Sequence, residues 1–177
     1  VYSGWTENRA LPNGAHRWTK EGVEDIKNTV PFKMLGVDGD NGSEFKNTQM
    51  VQWCARNSIQ FTRSRPYKKN DNCFVEQKND SVVRRIAGYQ RFEGEDARRT
   101  LARLYESYNK LVNYFFPSMK IISKERAGAK TVKKYDSAKT PFRRLLECEA
   151  VDEETKNRLR LIKKTLDLDT LLENTKR

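Results

Sequence analysis

A short apolar run at residues 33–39, followed at once by the turn D-N-G at 40–42, constrains the fold more than any other feature. Short, nearly uninterrupted apolar strands are typical of parallel or mixed sheets that are covered on both faces. An amphipathic helix at 15–29 precedes this strand, and a second helix and a strand at 59–62 follow it through short connections. The alternation predicts an α/β fold in which helices flank a sheet.

Further elements are predicted on both sides of this unit. The opening residues mix β-branched and aromatic side chains and end at a proline, which predicts a strand. Apolar residues at helical spacing predict one helix that begins among the polar residues 70–72 and a longer helix that ends before Pro117. The predicted ranges are 1–11 for the strand and about 70–88 and 94–115 for the helices.

The composition changes after residue 116. Residues 117–144 hold nine Lys or Arg against two acids, which favours an extended or weakly structured basic arm. Periodic leucines then return, and residues 151–172 are predicted to form one or two helices. We therefore expect three parts: a core at 1–116, a basic arm at 117–144 and a helical tail at 145–177.

Charge indicates the class of partner. The net charge is +11 at pH 7 and the isoelectric point is near 9.6. Such a chain repels itself unless it meets a polyanion, and nucleic acid is the commonest polyanion. A basic domain that is merely soluble is the alternative, because net charge concerns association rather than fold.

The cysteines and the apolar runs bear on location. Three cysteines with no C-x-x-C spacing argue against a disulfide framework or a zinc site and fit a reducing cytosol. No apolar run approaches the length of a membrane span, and no signal peptide opens the chain. We expect a cytoplasmic protein without a membrane partner. Because the first residue is Val1, within sequence that looks structured, we also expect a fragment of a longer protein.

Three motifs in order carry a family resemblance. They are D-N-G-S-E-F at 40–45, F-T-R-S-R-P-Y-K-K-N-D-N at 61–72 and V-E-Q-K-N at 75–79. Together they resemble the DDE transposases and retroviral-type integrases, specifically the integrase core of bacterial insertion-sequence transposases. The similarity extends from about residue 1 to 146. It implies a ribonuclease-H-like mixed sheet flanked by helices.

The catalytic assignment rests on two acids. Asp40 and Glu76 have thirty-five residues between them, which is the family's spacing, and they match the second and third carboxylates of its catalytic triad. Carboxylates are the ligands that Mg²⁺ or Mn²⁺ prefers, and α/β sheets hold ligands at the carboxyl ends of their strands. The resemblance implies two such ions in the complete protein. The alternative is an ordinary turn at Asp40 and a solvated helix charge at Glu76.

The family's first catalytic aspartate has no counterpart. The opening residues 1–7 resemble strands that follow that aspartate in the family, and Glu7, the only early acid, matches a later strand. We therefore expect that this piece lacks one metal ligand. Alone it is expected to bind metal weakly and to turn over DNA poorly or not at all.

A basic loop precedes Glu76, and in the family this loop flanks the active site and contacts DNA ends. Basic side chains suit phosphates, and a tyrosine can stack on a base. A mobile solvated loop is the alternative, and for Arg84 a solvated helix face. The candidate DNA-binding residues are Arg63, Arg65, Tyr67, Lys68, Lys69, Asn79 and Arg84.

The predicted function is DNA transposition or integration, through metal-dependent phosphodiester cleavage and strand transfer. The partners would be transposon ends and target DNA, and the parent protein would act as a homo-multimer. A metal-dependent nuclease of the same fold and a non-catalytic DNA-binding module are the alternatives. Joined products would distinguish an integrase from a nuclease, and retention of activity after Asp40→Asn would favour the binding module.

Overall fold

The computed structural model describes residues 2–39, 48–64, 83–128 and 130–176. The first half contains helix α1 (His16–Thr29), strand β1 (Gly36–Gly39), helix α2 (Thr48–Arg56) and strand β2 (Gln60–Arg63). These elements confirm the predicted order of helix, strand, helix and strand.

The second half begins with a short helix and then a long one, and a hairpin and three helices follow. No helix in the described ranges is both long and apolar enough to cross a membrane. The elements are α3 (Arg85–Ala87), α4 (Gly94–Tyr114), β3 (Ile121–Ala127), β4 (Lys130–Tyr135), α5 (Pro141–Leu146), α6 (Glu153–Thr165) and α7 (Leu168–Glu173).

Spatial proximity groups the chain into two compact units, Val1–Glu7 with Leu104–Arg177, and Asn8–Arg103, so the division falls within α4. The domain limits at residues 116 and 144 stay predictions.

The long helix and the two tail helices are confirmed. Asp152 and Asp167 cap the tail helices, because each carboxylate accepts a hydrogen bond from a backbone N–H three residues later.

The core of the unit Asn8–Arg103 forms where α2 packs on the parallel pair β1–β2. Buried residues of α2 and the start of β2 form the cluster, and side chains from α1 and β1 pack against it. Trp53 is 7% exposed. The members are Met50, Trp53, Cys54 and Ile59, with Val23, Met34, Val37 and Phe61 against them.

The prediction that both faces of the first strand are buried is wrong for the described residues. Val37 packs on the cluster, whereas the next residue of the strand, Asp38, is exposed. Successive side chains of a strand point to opposite faces, and the cluster lies against one of them. The strand is also shorter than predicted, because it begins at Gly36.

The strand predicted at 1–11 is likewise wrong over its described residues, which form no regular element. A strand needs a ladder partner, and here side chains take that role. The Thr6 N–H donates to Asn113 Oδ1 at 2.8 Å, and Asn113 Nδ2 donates to the Thr6 carbonyl at 2.7 Å. Trp5 N–H donates to Ser3 Oγ, and Gly4 adopts a φ of +78°. Both the hydrogen bonding and the left-handed glycine suit a turn-rich segment rather than a strand.

The basic arm contains an antiparallel hairpin, whose register shifts once, between Ile121 and Ser123. The sequence predicts extended chain at 117–144, and the structure pairs that extended chain as β3 and β4, with α5 after them. Weak structure is therefore a wrong expectation for this segment. Asp136 fixes the base of the hairpin, because it accepts hydrogen bonds from Arg144 Nη1 at 2.5 Å and from the Lys120 N–H at 2.6 Å.

The Asp136 hydrogen bonds predict an acid-sensitive contribution to stability. The Arg144 guanidinium, and then the Lys120 N–H, lower the pKa of Asp136 from 3.8 to about 2. A lowered pKa contributes stability that is present above the unfolded value and is lost as the pH falls through the folded one. We therefore expect the melting temperature of the wild type to exceed that of Asp136→Asn by a constant amount above pH 5. That difference should shrink between pH 4 and pH 2 in thermal melts followed by circular dichroism. A difference that persists unchanged to pH 2 would contradict this role of Asp136.

Candidate functional site

The carboxyl ends of β1 and β2 meet at one edge of the parallel pair. Gly39 lies opposite Arg63, and the next residue, Ser64, donates its N–H to the Gly39 carbonyl at 3.0 Å. Ser64 is 5% exposed, and its hydroxyl lies 3.4 Å from the same carbonyl. These contacts fix the two strand ends to each other. Asp40 is the next residue of the chain after Gly39, so it follows directly from the edge where α/β sheets hold ligands.

A polar pair that the sequence analysis missed lies one residue earlier on each strand. Thr62 Oγ1 donates to Asp38 Oδ1 at 2.7 Å, and both residues are exposed. Asp38 and Thr62 face each other in the parallel register. Twenty-four positions separate them along the chain, so only the register could have revealed the pair from sequence. Its effect is to hold one carboxylate close to the strand edge in a fixed orientation.

Most of the predicted site residues lie outside the described residues, and their roles stay predictions. Within the described ranges, no group of three or more His, Cys, Asp or Glu side chains is placed to hold a metal ion. Because Asp40 and Glu76 lie outside the described ranges, the distance between these two predicted metal ligands stays a prediction. The residues outside the described ranges are Asp40, Arg65, Tyr67, Lys68, Lys69, Glu76 and Asn79.

Two predicted DNA-binding residues are described. Arg63 is the last residue of β2 and is exposed at the strand edge. Arg84 is also exposed, and its guanidinium carbon lies 4.9 Å from the centroid of the Tyr89 ring. Tyr89 is 79% exposed, and the sequence analysis did not single it out. The cation over the ring restrains an aromatic face and a positive charge side by side at the surface.

Glu7, the early acid that has no catalytic assignment, is engaged in packing. Its carboxylate accepts hydrogen bonds from Trp5 Nε1 at 2.9 Å and from Asn109 Nδ2 at 3.1 Å. Burial, together with the Glu7 charge, raises the pKa of Tyr114 to about 12. The ring of Trp5 meets Tyr114 edge-on, with the ring centroids 5.3 Å apart. These contacts give Glu7 a structural role.

Comparisons with known proteins complement this geometry. No family model matches the chain. The uncharacterized protein y4rM of Sinorhizobium fredii is 39% identical over 144 residues, which are 81% of this chain and 41% of that protein. The chain thus spans less than half the length of this curated relative.

A solved structure shows the fold. The crystal structure of the catalytic core domain of BIV integrase matches with a TM-score of 0.50 and 22% identity, over 88% of this chain and 84% of that domain. At this identity the similarity bears on the fold alone. The chain has a mixed α/β fold that matches an integrase catalytic core.

Proposed function

We propose that this chain is the catalytic segment of a DNA transposase or integrase of the bacterial insertion-sequence type, with a ribonuclease-H-like sheet. One observation carries the proposal. The strand that precedes Asp40 ends at the same edge as its parallel neighbour, from which the basic loop toward Glu76 departs. In the sequence, the motif at 40–45 follows directly after β1, and the motif at 61–72 begins within β2. Both strands end at the edge where ligands of α/β proteins bind, which supports the proposal.

The proposed site uses Asp40 and Glu76 as metal ligands. Both are carboxylates, the donor class that Mg²⁺ and Mn²⁺ prefer, so the donor set fits the ions. When bound, two ions would activate the attacking oxygen and stabilise the leaving oxygen of a phosphodiester. The protein would contribute by positioning the ligands, because the ends of β1 and β2 are fixed to each other just before Asp40 in the sequence. The nearby carboxylate of Asp38 accepts a hydrogen bond from Thr62.

DNA would be held by the basic residues that flank this edge. Arg63 lies at the strand end, and Arg65, Lys68 and Lys69 follow it in the loop, with Tyr67 among them. Their positive charges suit the phosphate backbone, which positions a duplex without reading its sequence. Asn79, Arg84 and Tyr89, which follow in the sequence, would extend this DNA-binding surface. The substrates in this proposal are transposon ends and target DNA, handled by a homo-multimer.

The test measures Mn²⁺ binding to the 177-residue chain by the loss of the free-ion electron paramagnetic resonance signal. Removing a group that supports a metal site costs about 10–100-fold in affinity, so the loss of a ligand should cost at least about tenfold. We expect Asp40→Asn and Glu76→Gln each to weaken Mn²⁺ binding by that amount. Asp38→Asn is the matched control, because it removes a carboxylate two positions away that already has Thr62 as its partner.

Equal Mn²⁺ binding by all four proteins would reject the metal site. Nicking of a supercoiled plasmid by the full-length protein, with joined products analysed on the same gel, separates the remaining alternatives. Nicking and joining that both require Asp40 support a recombinase. Nicking without joining indicates the nuclease. DNA binding without any nicking or joining, unchanged by Asp40→Asn, indicates the binding module.

A further inference from the structure

The hairpin β3–β4 carries a concentrated positive charge. Residues 121–135 hold five Lys or Arg against one acid. All five cationic side chains are exposed, and so is the single acid, Glu125. The cationic residues are Lys124, Arg126, Lys130, Lys133 and Lys134.

The register places like charges directly opposite each other. Lys124 pairs with Lys133, and Arg126 pairs with Thr131. Opposite residues of an antiparallel pair share a face, and alternate residues along a strand share it too. Lys124, Lys133 and Arg126 therefore lie on one face, and Glu125 lies on the other. Like charges opposite each other destabilise a hairpin, and an anion between the two ammonium groups removes that penalty.

The hairpin is held at both ends. At the tip, Arg126 Nε donates to the Gly128 carbonyl at 3.2 Å, which orients the guanidinium. At the base, Asp136 joins the Lys120 N–H to Arg144, and Arg144 Nη2 also donates to the Ser118 carbonyl at 2.8 Å. Arg144 is 8% exposed. A ribbon with a fixed base presents its cations without a large ordering cost when it binds.

We propose that this face of the hairpin binds the sugar-phosphate backbone of duplex DNA, in a sequence-independent manner. A two-stranded β-ribbon fits the major groove of B-form DNA, and cations at its edges reach the flanking phosphates. The three cations of the face contact phosphates, and the Lys124–Lys133 repulsion is relieved by the phosphate between them. The inference extends the proposed function, because the partner is the same polyanion, but its test needs neither metal nor cleavage.

The test compares two triple variants of the full chain. One changes Lys124, Arg126 and Lys133 to Gln, and the control changes Arg103, Lys164 and Lys176, which are exposed outside the hairpin, to Gln. Affinity for a mixed-sequence 20-base-pair duplex is measured by fluorescence anisotropy from 50 to 300 mM KCl. Each phosphate contact that is removed lowers the slope of log affinity against log salt by about one. We expect a decrease of about three for the hairpin variant and of less than one for the control.

A single variant separates binding from folding. Lys124→Glu places opposite charges across the hairpin, so the melting temperature should hold or rise while DNA affinity falls. The hairpin proposal is overturned if the salt slope decreases equally in both triple variants. It is equally overturned if the hairpin variant loses binding to phosphatidylserine vesicles but not to DNA. If DNA binding depends on the hairpin cations but Mn²⁺ binding does not depend on Asp40, only the proposed function is rejected. If Mn²⁺ binding depends on Asp40 but DNA binding does not depend on the hairpin cations, only the hairpin proposal is rejected.

Discussion

Replacing Trp53 by Ala is expected to lower the free energy of unfolding by about 3–5 kcal/mol, the range for removing a buried large aromatic side chain. Trp53 is 7% exposed and belongs to the cluster with Met50, Cys54 and Ile59. The strand residues Val37 and Phe61 pack against that cluster. The expected cost is large because the cavity would open between α2 and the two strands. Urea denaturation followed by far-ultraviolet circular dichroism measures it.

Trp53→Phe is the matched variant, and its expected outcome is different. The Trp53 Nε1–H is buried and has no hydrogen-bond partner among the residues that the structure describes. An unsatisfied buried donor costs about 1–3 kcal/mol, so removing it offsets the weaker packing of the smaller phenyl ring. We expect Trp53→Phe to lie within about 1 kcal/mol of the wild type. If it is as destabilising as Trp53→Ala, the indole makes a contribution that this packing does not explain.

The core cluster also matters for the candidate site. Val37 and Phe61 are register partners in the β1–β2 pair, two residues before the strand ends at Gly39 and Arg63. Packing that holds Val37 and Phe61 therefore also holds the edge from which Asp40 follows. The end of β1, after which Asp40 follows in the sequence, is thus held by apolar packing as well as by the Ser64 hydrogen bonds.

The sequence predicts the regular elements of this fold well, for an identifiable reason. Helices α1, α2 and α4 have apolar residues on one face, and this periodicity survives in any tertiary context. The strands β1 and β2 were predicted from the run at 33–39 that ends at the turn 40–42, and from the segment 59–62. Their parallel pairing follows from the helix that connects them. These local patterns suffice to predict an α/β fold.

Features that depend on distant partners were not predictable in this way. Residues 2–11 have strand-like composition, yet the backbone of Thr6 bonds to a side chain 107 positions away. The Asp38–Thr62 pair depends on strand register, and the partner of Arg84, Tyr89, depends on the chain path after α3. The candidate catalytic residues Asp40 and Glu76 were identified from the motifs and their spacing alone, and both their role and their geometry stay predictions.

The second large effect is expected at Asn113. This side chain is 1% exposed, and it bonds both to the N–H and to the carbonyl of Thr6, which is itself 8% exposed. Asn113→Ala removes the hydrogen bond that Asn113 makes to each of these two backbone groups, and losing the partner of a buried polar group costs about 1–3 kcal/mol. We expect a loss of about 2–4 kcal/mol in the free energy of unfolding, measured by urea denaturation.

Hydrogen exchange at Thr6 distinguishes the Asn113–Thr6 hydrogen bonds from general packing. The Thr6 amide hydrogen should exchange with solvent slowly in the wild type and much faster in Asn113→Ala, as followed by native-state hydrogen exchange. Asn174→Ala is the control, because Asn174 is exposed after α7 and exposed substitutions usually stay within about 0.5 kcal/mol. If Asn113→Ala matches this control and the Thr6 amide stays protected, the opening segment is held by the packing of Trp5 against Tyr114 rather than by Asn113.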